Sequence, residues 1–434
     1  MQTISVNKKI IRSWIFYDWA NSVYALVITT AIFPVFYENI TRTTLPDGAT
    51  SDLITLFGIT FHNTSLISYV SSAIFLTVAL LIPLLSGIAD VLGKRKLFLQ
   101  FFCYLGSISC MALYFFNTSH LFWSLLIYFF AGIGFWGSLV FYNSFLPLII
   151  PPRLHDRVSA AGYAMGYVGS AILLILCLVL ISVLDVDPRW SFVLTGLWWM
   201  AFAQITFRNL PPEPSHKTDG MKHILVKGWK ELLQVFRNIR QSIELTRFLS
   251  AFFVYSTAVQ TIMLLAVFFG TKEIDWPDEN AAQSGLIISV LIIQFIAIPG
   301  SILAGRLAEK TGNYLTITLI LVLWLMICIY AYFIHTPLQF YITAASVGCV
   351  MGAIQSMSRS TYSKLIRSTD TASYFSFYDI TEKIAIVIGT FLFGWVEDLT
   401  GSMRLSVIVL SVLFFISILM MLRLLLHMKN NANP

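Results

Sequence analysis

Twelve apolar runs, each near the length that carries an α-helix across a bilayer, take up most of this chain. They fall at about 12–37, 65–88, 97–116, 120–143, 159–184, 190–207, 248–270, 284–305, 314–334, 338–358, 377–396 and 403–427. In hydrocarbon every backbone N–H and C=O must be satisfied within the membrane-embedded structure, so runs of this length predict helices and an all-α membrane protein. The composition leaves no soluble alternative. A mean hydropathy of +0.78, with 57% hydrophobic and 12% charged residues, gives a water-soluble fold nowhere to put its apolar surface.

The charges orient the bundle. All but four of the 28 Lys and Arg (Arg42, Arg189, Lys272 and Arg404) lie on one side of the runs. That side is read as cytoplasmic, with both termini on it. The expected location is a multi-pass position in a membrane, the cell (inner) membrane if the source is bacterial. The net charge of +6 thus reflects topology, and no nucleic-acid partner is expected. The first run carries Asp18 and is too long for a cleaved signal, so it reads as a retained span. The five cysteines fall in apolar runs and the seven histidines in loops or at run ends, which argues against a disulfide framework or an intramembrane metal. With no nucleophile–base set and no phosphate-binding Gly-x4-Gly-Lys loop, neither an enzyme, a cofactor nor ATP drive is expected.

Two polar interruptions repeat. Ser86-Gly-Ile-Ala-Asp90-Val-Leu-Gly93-Lys94-Arg95 and Gly305-Arg-Leu-Ala-Glu309-Lys-Thr-Gly312-Asn313 begin 219 residues apart (305 − 86), about half the chain. An acid, a glycine three residues on and basic side chains at half-length spacing indicate two related halves. Each copy reads either as a latch or as a positive-inside turn with an incidental acid. The expected units are an N-terminal six-helix bundle over 1–207, a linker over 208–247 and a C-terminal bundle over 248–434. The linker holds Pro211-Pro-Glu-Pro214 and then Lys222–Gln241, whose apolar residues recur at helical spacing among Lys and Arg. This predicts an amphipathic helix on the anionic leaflet. The outer loop 38–64 carries a Pro46-Asp-Gly48 turn signal.

Charges inside apolar runs mark candidate sites, because an unpaired charge in hydrocarbon is costly. Asp18 is one, with Asn21 a turn further on; pairing with Arg12 at the membrane edge is the structural alternative. Asp379, Glu382 and Lys383 share one helical face, as a closed salt bridge or as a titratable coupling group. Arg359 suits a carboxylate bidentately, or serves as a membrane-edge anchor.

The hairpins resemble the signature loop of the major facilitator superfamily, usually Gly-x-Leu-Ala-Asp-Arg-x-Gly-Arg-Lys. Ser86 and Val91 depart from it in the first copy, and Asn313 in the second. Longer stretches resemble its vacuole-effluxer-like branch: Tyr17-Asp-Trp-Ala-Asn-Ser22, Phe141-Tyr-Asn-Ser-Phe-Leu-Pro147, Arg157-Val-Ser-Ala-Ala-Gly162, Gln355-Ser-Met-Ser-Arg-Ser360 and Phe375-Ser-Phe-Tyr-Asp-Ile-Thr-Glu-Lys383. The resemblance covers about 12–400. It implies twelve helices in two pseudo-symmetric bundles, a latch at Asp90, Gly93, Lys94, Arg95, Glu309 and Gly312, and a cavity lined by Asn143, Tyr163, Tyr167, Tyr255, Gln260, Gln355 and Tyr378. Each of these polar residues has helix packing as its alternative role. The branch usually carries Asp-Gly in the seventh helix, where this chain has Tyr255-Ser-Thr-Ala258. The implied activity is secondary transport of a small polar or zwitterionic solute, amino acids foremost, by a monomer in contact with lipid and coupled to protons. The alternatives are a peptide, sugar or lipid-derived cargo, or a non-transporting sensor.

Overall fold

The computed structural model describes residues 7–44, 50–213 and 221–432. Twelve of the long helices among these residues, the first to twelfth spans below, are Lys8–Thr41, Asn63–Leu92, Arg95–Phe115, Thr118–Ile149, Pro152–Ser182, Arg189–Asn209, Ile243–Glu273, Glu279–Thr311, Asn313–Ala331, Pro337–Leu365, Thr371–Thr400 and Met403–Ala432. Ten are long and apolar enough to cross a membrane. The sixth and eleventh fall short of that standard; the eleventh contains Asp379, Glu382, Lys383, Glu397 and Asp398.

Within the first half the first span packs on the fifth and sixth, the third on the fourth and sixth, and the second on the fourth. In the second half the eighth packs on the tenth, the seventh on the eleventh and twelfth, and the ninth on the tenth and twelfth. The halves meet along two seams. The fifth span runs against the eighth and tenth, and the second and fourth run against the eleventh. The first span changes from α- to π-helix over Tyr24–Ala31, one turn beyond Asn21. Such wide turns inside helices are often found at functional sites.

Several sequence expectations shift. The connection expected over 360–376 is mostly helix: the tenth span continues to Leu365 and the eleventh starts at Thr371. Ser360, Thr361, Ser363 and Ser373 look like loop residues but are buried. Their hydroxyls face protein rather than water. The helix Met221–Gln241 does form, yet it does not simply float on a leaflet. Its Gly228 lies against Gly87 of the second span, and Leu232, Val235 and Ile239 are buried, while Trp229, Leu233 and Phe236 remain exposed. The outer loop pairs Leu53–Leu56 with Ile59–His62 through a turn at Phe57 and Gly58, both at positive φ. That geometry matches a two-residue hairpin turn. The Pro46–Gly48 turn signal lies outside the described residues.

Candidate functional site

A cavity of about 280 Å³ lies between the halves. The first, fourth and fifth spans contribute Asp18, Asn21, Asn143, Tyr163 and Tyr167; the seventh, tenth and eleventh contribute Tyr255, Gln260, Gln355, Arg359, Tyr378, Asp379 and Glu382. Of the expected cavity residues only Lys383 stands behind the wall.

Asp18 is not paired with Arg12. Its partner is Arg359, 341 residues away, with Nη2 to Oδ2 at 3.0 Å and both side chains buried. Tyr142 donates its hydroxyl to the same Asp18 oxygen at 2.8 Å. The guanidinium has no open position. Nε donates to Ser159 Oγ, Nη2 also to the Ser159 carbonyl, and Nη1 to Asn143 Oδ1. Its faces are covered by Trp14 and Tyr163, at 4.9 and 4.2 Å. Gly162 makes the pair possible: a Cβ there would stand 2.3 Å from Asp18 Oδ2 and 2.8 Å from the guanidinium. Arg359, expected as an open carboxylate contact, therefore already holds a carboxylate of its own protein.

On the eleventh span Lys383 Nζ donates to Asp379 Oδ1 at 3.0 Å and lies 3.6 Å from Glu382 Oε2. The ammonium caps the ring of Trp136, 3.5 Å from its centroid, across the seam between halves. Gln260 donates to Glu382, whose side chain is 19% exposed and lines the cavity. The closed salt bridge, one of the two readings of this face, does form, but buried, with Asp379 and Glu382 on the cavity wall rather than near the headgroups. The seventh span places no acid on the cavity wall; its Tyr255 hydrogen-bonds Ser358 at 2.7 Å. Asn21 is 1% exposed, and its Nδ2 has no hydrogen-bond partner.

Between the cavity and the face with the basic loops the halves are stitched together. Tyr167 donates to Gln355 at 2.6 Å, and Ser159 to the Ser356 carbonyl at 2.9 Å. His155 hydrogen-bonds Ser363 at 2.7 Å. Asp156 accepts from Lys364 and, at 2.6 Å, from Asn313. At the basic face itself Asp90 accepts from the backbone N–H of Ala372 and Ser373, the first turn of the eleventh span, and pairs with Arg95. A carboxylate at a helix N-terminus is favoured by the free amides there. Arg95 also bonds Glu213 and the Thr369 carbonyl. Among the described residues, the ion pairs that cross between halves, Asp18–Arg359 and Asp156–Lys364, both lie on this side of the cavity.

Two expected latch residues are not engaged. Lys94 and Glu309 are exposed and make no ion pair among the described residues. Gly93 and Gly312 both sit at hairpin turns with positive φ, +62° and +84°. The residues missed by sequence reasoning, Asp156, Ser159, Lys364, Asn313 and Trp136, look like edge charges, small helix residues or belt aromatics. Only the departure of Asn313 from the signature loop flagged one of them.

Two six-helix bundles around a central cavity define a major facilitator transporter, not an enzyme. The chain belongs to the family described as vacuole effluxer Atg22 like, which it matches over residues 6–433. It is 33% identical to the uncharacterised MFS-type transporter YxiO of Bacillus subtilis (strain 168), over 94% of this chain and 93% of that protein. It is 23% identical to autophagy-related protein 22-1 of Penicillium rubens, over 97% and 90%. Its fold is similar to that of the E. coli fucose:proton symporter, with a TM-score of 0.66 at 16% identity over 96% and 97%.

Proposed function

We propose that this chain moves a small zwitterionic solute, amino acids foremost, across its membrane by alternating access. The observation that carries this reading is the cavity between halves, a largely apolar wall set with charged, amide and tyrosine side chains, stitched shut toward the basic face. On the basic count of its loops, that face and both termini are cytoplasmic, so the conformation is the outward-open one. The bundles divide at 207 and 248, with the linker helix spanning them, and one copy encloses a complete cavity, which supports a monomer. The amino-acid cargo rests on the resemblance to the vacuolar effluxers. Coupling to protons runs through the Asp379/Glu382 pair rather than Asp18, since Asp18 is committed to Arg359 while Glu382 faces the cavity.

Proteoliposomes test this. Counterflow of labelled amino acids, accelerated by a pH gradient, is the expected result. Glu382→Gln should keep counterflow only at raised solute concentration and lose the response to the gradient. Counterflow of sugars or peptides but no amino acid would overturn the cargo. An undiminished gradient response in both Asp18→Asn and Glu382→Gln would overturn the coupling. Ligand binding without any counterflow would make the chain a sensor.

A further inference from the structure

The charges of the central cavity do not cancel. Four charged groups line it: Asp18, Arg359, Asp379 and Glu382. Asp18 and Arg359 neutralise one another, and the remaining guanidinium donors are taken by Ser159 and Asn143. Lys383, behind the wall, serves two carboxylates at once, 3.0 Å from Asp379 and 3.6 Å from Glu382. Its ammonium is covered by Trp136. Two acids thus share one lysine, and the excess negative charge faces the cavity on Glu382, the more exposed of the pair. No cation is left open to a ligand among the described residues lining the cavity.

A carboxylate with an uncompensated charge beside a largely apolar wall is stabilised by an added cation. Asn21 supplies the second pole. Its Nδ2 is a buried donor without a partner on the cavity wall, so it calls for an acceptor oxygen. Phe135, Trp136 and Phe252 add aromatic surface, suited to an ammonium or an apolar side chain.

We infer that the cavity selects its solute by an ammonium group docked on Glu382, with a neutral amide, Asn21, rather than an arginine receiving the solute's oxygen end. This deepens the amino-acid reading and rests on it. The ammonium is the required element, and the solute's carboxylate is secondary. Amines lacking a carboxylate bind, and solutes with a second carboxylate are rejected, because the cavity has no cation to offer them.

The test uses the full-length protein in nanodiscs, titrated calorimetrically at constant pH with two matched sets. One is phenylalanine, phenethylamine and 3-phenylpropanoate; the other is alanine, ethylamine and propanoate. Glutamate is added as the acidic probe. The amines are expected within ~10-fold of their parent amino acids, the scale of one neutral hydrogen bond. The deaminated acids and glutamate should be weaker by ~100-fold, the scale of losing one partner of a buried charge pair. Glu382→Gln should weaken amino acid and amine alike by ~100-fold. Asn21→Ala should weaken the amino acid ~10-fold and leave the amine unchanged, and that unchanged amine shows the variant is folded. Deaminated acids binding as tightly as the amines, or Glu382→Gln keeping the wild-type preference, would overturn this assignment while amino-acid binding itself survives. Sugars or peptides binding while no amino acid or amine does would overturn the cargo reading and this inference with it.

Discussion

The hairpin at 86–95 and the hairpin at 305–313 share a spacing and differ in what they hold. In the first, Asp90 is buried, caps the eleventh span through two backbone N–H groups and grips Arg95. In the second, the matching acid Glu309 is exposed and pairs with nothing among the described residues. The work passes four residues on, to Asn313, which binds Asp156 at the start of the fifth span together with Lys364. One copy therefore closes the seam with a full charge on a helix N-terminus, and the other with an amide placed inside an ion pair. Duplication preserved the turn, while the chemistry of closure diverged between halves.

Removing the buried charge should have the largest effect. Asp90→Asn leaves the shape and deletes the charge that Arg95 and the eleventh span share, which favours opening of the basic face by about 3 kcal/mol. Spin labels on Lys94→Cys and Lys310→Cys, exposed residues on either side of the seam, would report a longer distance population. An unchanged distribution would show that the first hairpin carries no closing energy.

Next comes Gly162→Ala. Its methyl group would stand 2.3 Å from Asp18 Oδ2, so the Asp18–Arg359 pair must spread. Overpacking at such a site costs about 2 kcal/mol. A lower melting temperature together with the same opening on the spin labels is expected; a variant melting like the parent would mean the pair tolerates displacement.

The helices were legible because the bilayer imposes one length and one polarity on every span. Even the eleventh, weakened by its charges, stands between two clear neighbours. Asp18, Arg359 and the 379–383 face were legible as charges out of place. Their partners were not: Asp18 and Arg359 are 341 residues apart, and only folding brings the first and tenth spans together. Trp136 is written like any interfacial aromatic, and nothing in its neighbourhood of sequence announces the lysine above it. The segment 360–376 reads as a connection outside the membrane, because a seam between two protein halves and a water boundary call for similar residue types.

A smaller, pH-dependent effect belongs to the first hairpin alone. The helix Met221–Gln241 crosses the second span near Asp90 and carries Glu231. Burial, then hydrogen bonding and repulsion from Asp370, with a further contribution from Asp90, push Glu231 up to about 7, against the opposing pull of Arg95. An acid raised in the folded state favours its protonated form there. Its contribution to docking is complete below its ordinary value and is lost as pH rises through about 7. Hydrogen exchange across 221–241, corrected for its intrinsic pH dependence, should speed up between pH 4.5 and about 7 and level off above that. Glu231→Gln should flatten that change, and a change that persists in the variant would remove Glu231 from the account.

The smallest effect expected is at Glu309. If the second hairpin closes through Asn313 and not through its acid, Glu309→Gln changes an exposed group with no partner and should move stability and label distances by less than ~0.5 kcal/mol. Asn313→Ala, by contrast, leaves Asp156 and Lys364 without the amide that binds both, and should open the basic face measurably. Equal effects from the two substitutions would make the second hairpin a working copy of the first. A silent Glu309 beside a responsive Asn313 would show that the seam has shifted by one turn between the halves.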